Sequence, residues 1–67
     1  MGNFDAEQKF IEATKTFRKA EEKARQLNID ANKFRMVVID LDAAFLGLDG
    51  IMLGRALLLK AYCLYWL

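Results

Sequence analysis

Proline and histidine are absent from this chain, and cysteine occurs once. The four glycines stand at positions 2, 47, 50 and 54. Each scarcity excludes something. With no proline, and no glycine between Asn3 and Leu46, nothing in that stretch forces the backbone out of a helix. One thiol cannot close an internal disulfide. One thiol without an imidazole cannot make a structural zinc site either. A chain of 67 residues buries only about 60% of the surface its unfolded form exposes. The usual staples being missing, stability is left to helix packing and to association. Charge of one sign is also missing: ten cations against nine anions give a net +1. A basic face for nucleic acid is therefore not expected. The chain has no glycine-rich phosphate loop, no nucleophile–base pair and no metal-ligand cluster. We expect a non-enzyme that uses neither cofactor nor metal.

Apolar residues, by contrast, are plentiful. They make up 55% of the chain, against an average near 45–50% that already counts glycine. A small domain has much surface and little interior, so the excess implies an exposed patch of the kind that marks an interaction site. The opening stretch, MGNFDAEQKF, is polar and acidic where a secretory signal is basic and then apolar. Ala6 stands where a myristoylation signal after Gly2 has Ser or Thr. We expect a cytoplasmic protein, a reducing setting that suits the lone cysteine.

Residues 4–27 predict an amphipathic helix. Phe10, Ala13, Phe17, Ala20, Ala24 and Leu27 recur at spacings of three and four, with Lys, Arg, Glu, Gln and Thr between them. Asn3 is the expected N-cap and Asp5 faces the helix dipole. The pairs Asp5–Lys9 and Glu21–Arg25 are spaced to support the helix. Phe4 and Ile11 fall off the stripe, about 100–120° around the wheel from Phe10.

Two similar phrases then punctuate the chain. Leu27-Asn28-Ile29-Asp30 predicts a helix end, a left-handed Asn28, an apolar latch and a new N-cap. Leu46-Gly47-Leu48-Asp49 predicts the same, with Gly47 taking the left-handed position more freely. Two short connections imply a single domain, 1–67, folded as an all-α antiparallel three-helix bundle with helices at about 4–27, 30–46 and 50–66. The rival is one long helix, 3–46, plus a C-terminal helix. The three–four seam runs on unbroken through Ala31, Phe34, Val38, Leu41 and Phe45, as in a coiled coil. Against it, Asn-Ile-Asp makes a poor helix interior.

The second helix carries two apolar stripes. Phe34, Val37, Val38, Leu41, Ala44 and Phe45 form one face. Met36, Ile39, Ala43 and Leu46 run down the middle of the opposite, polar side. A helix with two stripes has something on both sides: either the other two helices, or another molecule. The third helix is apolar nearly all round, with only Arg55 and Lys60 charged. It is either buried on most sides or lies in lipid. At about 17 residues it falls at the short edge for spanning a bilayer, so membrane association is the alternative to a protein partner. Tyr62, Tyr65 and Trp66 crowd its end as core, interface anchors or a membrane-interface belt. Cys63 reads as a small buried hydrophobe.

One stretch has a catalytic look. VVIDLDAAF, an apolar run ending in Asp40-x-Asp42, resembles the metal-binding motif of haloacid-dehalogenase-type phosphatases. DLDAAF is similar to the start of translesion polymerase domains. That resemblance implies a strand holding magnesium on Asp40 and Asp42. It covers about nine residues and lacks the rest of either pattern, and a lone strand has nothing here to pair with. On a helix the two carboxylates point about 200° apart and cannot chelate one ion.

The expectation is a non-catalytic helical interaction module: an adaptor, a small chaperone-like subunit or an assembly component. It would form a homo-oligomer or dock on a larger protein. The contact residues expected are Met36, Ile39, Ala43 and Leu46, then Tyr62, Tyr65 and Trp66, then Phe4 and Ile11.

Overall fold

The computed structural model describes residues 4–67; Asn3, the expected cap of the first helix, lies outside them. The order is α1 (Phe4–Arg25), α2 (Ala31–Ala44), a 3-10 turn (Phe45–Gly47) and α3 (Gly50–Trp66). The described residues contain three antiparallel helices and no strand, as expected. The long-helix rival is excluded, because the chain leaves the helix between Arg25 and Ala31. MVVIDL lies within α2.

The core explains the arrangement. From α1 it takes Ala6, Ala13, Phe17, Ala20 and Ala24; from α2, Phe34, Val37, Leu41 and Ala44; from α3, Ala56, Leu59 and Cys63. The α1 stripe is four alanines around one Phe. Its methyl side chains let α1 lie close against α2, and Phe17 fills the space between them. Phe17 meets Phe34 edge-on, with ring centroids 5.9 Å apart. Phe34 stacks on Trp66 at 6.0 Å, and Phe17 stacks on Tyr62 at 6.3 Å. Rings from all three helices thus form one ladder, which fixes α3 against the α1–α2 pair. The molecule is elongated, 40 × 16 × 15 Å, because the 22-residue α1 is about 33 Å long.

Both connections depart from the expected detail. At the first, the left-handed residue is Leu27, with φ 64°, and not Asn28. Leu27 N–H donates to Ala24 O (3.0 Å) and Asn28 N–H to Lys23 O (2.9 Å). These are the two bonds of a Schellman stop, set one residue earlier than the sequence suggests. The stop ends α1 at Arg25, so Leu27 leaves the apolar stripe and is 93% exposed. Ile29 does not latch onto the core; it too is exposed. Asp30 does cap α2, its carboxylate accepting from Lys33 N–H at 3.3 Å.

At the second connection Gly47 closes the 3-10 turn, and the left-handed glycine is Gly50, φ 56°. Leu48 is the expected latch: it is 6% exposed, and its N–H donates to Phe45 O at 3.2 Å. Asp49 holds the extended N-cap backbone ahead of α3.

A non-glycine residue in the left-handed region costs about 1–2 kcal/mol, and Leu27 contributes almost no packing in return. Leu27→Gly should therefore stabilise the chain by about 0.5–1 kcal/mol after the added freedom of the unfolded chain is subtracted. A thermal melt should show the midpoint rising by a few degrees. A lower midpoint would mean that Leu27 makes a contact in solution that this conformation lacks.

Candidate interaction surfaces

The second stripe of α2 is a ridge standing in solvent. Met36 is 52% and Ile39 64% exposed, Leu46 is fully exposed, and Ala43 is exposed between them. Neither α1 nor α3 covers it, because both pack on the opposite face through Phe34, Val37, Leu41 and Ala44. Asp40 and Asp42 flank its C-terminal half; Lys33 and Arg35 flank its N-terminal half.

A second apolar surface lies between α1 and α3, which touch less than either touches α2. It is a groove of about 580 Å³ whose floor is Phe10, Ile11, Phe17, Leu58, Leu59 and Tyr62. Lys15, Arg18 and Arg55 line it too, with Glu21 its one carboxylate. Arg25 reaches Glu21 at 3.4 Å, the helical pair expected from the sequence.

The expected contact residues divide between these places. Met36, Ile39, Ala43 and Leu46 make the ridge. Ile11 and Tyr62 both line the groove, with Tyr62 stacked on Phe17. Trp66 is partly buried against Phe34, so it belongs largely to the ring ladder. Tyr65 leans edge-on against Trp66 at 5.4 Å and is otherwise exposed. Phe4 is exposed at the start of α1 and does not line the groove.

The groove as a unit was not evident from the sequence, and Leu58 and Arg55 were not among the expected contact residues. A signal existed: Ile51, Arg55, Leu58, Tyr62 and Tyr65 recur at spacings of four and three along α3. It was hidden because α3 is apolar on its other sides as well. The two cations of α3 do different work. Arg55 edges the groove, whereas Lys60 crosses to α2, 2.8 Å from Asp42 and 5.5 Å above the Phe45 ring.

The Asp-x-Asp stretch is part of α2, not the strand that the resemblance implies. Asp40 and Asp42 leave α2 in opposed directions, and Asp42 is engaged by Lys60. No group of three or more potential metal-ligating side chains lies together among the described residues. None of the described helices is long and apolar enough to cross a membrane. No protein-family model, curated protein or solved structure matches the chain.

Cys63 is fully buried. Burial pushes its thiol up to about 11 from an ordinary 9.0, and the charge of Glu21 adds to the effect. A thiolate is the reactive form, so at pH 8 a thiol reagent should modify the native protein about a hundredfold more slowly than the denatured one. The folded state favours the neutral thiol. Its contribution to stability is therefore present below about 9 and lost as pH rises towards 11. Cys63→Ala melts should lack that part of the alkaline decline. Native labelling as fast as denatured labelling would show the thiol to be accessible.

Proposed function

We propose that this chain is a non-catalytic helical interaction module, a subunit of an assembly that acts through apolar helix faces. The observation that carries the reading is the ridge. Met36, Ile39 and Ala43 on the solvent side of α2, continued by Leu46 in the 3-10 turn, form an exposed apolar row, and the fold itself has no use for them. Scattered exposed apolar residues are ordinary; a periodic row opposite an already complete core face is a second contact surface. The size of the molecule supports this. It exposes 4860 Å², against about 4300 Å² for a compact monomer of 7.7 kDa. A standard interface takes about 800 Å² from each partner.

Ile39→Asp tests the reading. The variant should keep its helical circular-dichroism signal and melt within about 0.5 kcal/mol of the parent, as exposed substitutions do. It should also lose association, since a buried unpaired carboxylate at an interface costs several kcal/mol. If Ile39→Asp instead unfolds the monomer, the ridge is part of the core and the reading falls.

A further inference from the structure

From the ridge and the groove together we infer that copies of this chain associate head to tail, the α2 ridge of one copy seated in the α1/α3 groove of the next. The inference rests on the interaction-module reading and names its partner: a second copy. Lengths agree. The ridge from Met36 to Leu46 spans about 15 Å, and the groove from Phe10 to Glu21 along α1 spans about 16 Å.

Charges decide the pairing. The groove holds Lys15, Arg18 and Arg55 against the single carboxylate Glu21. In a two-fold groove-to-groove contact these cations would face their own copies. In a two-fold ridge-to-ridge contact centred between Ile39 and Ala43, the two Asp40 carboxylates would come together near the axis. Both arrangements oppose like charges, which costs several kcal/mol at an interface. The ridge in the groove instead sets Asp40 at the level of Lys15 and Arg18, while Asp42 keeps its bond to Lys60. It also sets a direction. With the ridge running antiparallel to α1, Lys33 and Arg35 come to the Glu21 end of the groove. A contact between two different patches does not close on itself in a dimer; it builds a ring or an open string of subunits.

Two variants separate this from every symmetric alternative. Ile39→Asp disables the ridge and leaves the groove; Leu58→Asp disables the groove and leaves the ridge. Both sites are exposed, so both variants should fold, and circular dichroism checks that they do. Leu46→Asp and Arg55→Glu form a second such pair. Each variant alone should sediment at 7.7 kDa. An equimolar mixture should give a one-to-one pair of about 15 kDa, because one intact ridge still meets one intact groove. Association of either variant on its own would overturn the head-to-tail contact in favour of a symmetric one through the surface that variant keeps. A wild type that remains monomeric at high micromolar concentration would overturn it too, yet leave docking onto a different protein standing. The broader reading fails separately, on unfolding of Ile39→Asp.

Discussion

Phe34→Ala should leave the chain largely unfolded at ambient temperature, or lower its melting midpoint by about 15 °C or more. Phe34 is fully buried and is the ring at which the three helices meet, edge-on to Phe17 and stacked on Trp66. Removing a buried Phe costs about 3–5 kcal/mol, since the lost transfer energy is joined by the cavity left behind. A domain of this size has about 3–10 kcal/mol in all. A single cysteine allows no internal disulfide, so the loss takes from about a third of the stability to all of it. A concentration-matched melt followed by helical signal makes the check. A midpoint within about 5 °C of the parent would mean that the ring ladder is not where the stability lies.

Ala13→Leu should cost about 1–3 kcal/mol or more, for the opposite reason. Ala13 is fully buried on the face that α1 turns to the core. The alanines along this stripe set the distance between α1 and its neighbours. Three further carbons at Ala13 must either push α1 away from α2 or enter a rotamer the site does not allow. Ala43→Leu is the matched control, since Ala43 points into solvent from the ridge. The same chemical change there should leave the melting midpoint of the monomer unaltered. Equal effects at both sites would show that the close approach of α1 does not depend on its small residues.

The contrast between Ala13 and Ala43 shows how far periodicity alone reaches. Both alanines sit in regular apolar stripes, and both stripes were legible in the sequence. Which stripe a neighbour covers depends on how three helices share one interior, and spacing along one helix does not contain that. In α2 the face with Phe34, Val37 and Leu41 is bulkier and became the core, leaving Met36, Ile39 and Leu46 outside. The number and order of the helices followed from the pattern, and Asp30 caps α2 as its type suggests; the ends of α1 at Arg25 and α2 at Ala44 fall two residues short of the expected 27 and 46. The residue that turns the first corner did not follow. Asn28 has the better intrinsic tolerance for a left-handed conformation, yet the Schellman bonds to Lys23 and Ala24 place Leu27 there. Ending α1 at Arg25 outweighed the local steric preference of one residue. Gly47 gave way in the same manner to a 3-10 turn that carries Leu48 into the core. The groove was the least legible feature, because it is made by the gap between α1 and α3 and not by a pattern in either one.

The ridge and the groove have a use only if something covers them, and the most direct measurement is the solution mass of the wild-type chain across a wide concentration range. Sedimentation equilibrium should show a mass that climbs above 7.7 kDa as concentration rises, in steps beyond a dimer. A single species of 7.7 kDa throughout the range would contradict assembly of this chain through its own apolar faces.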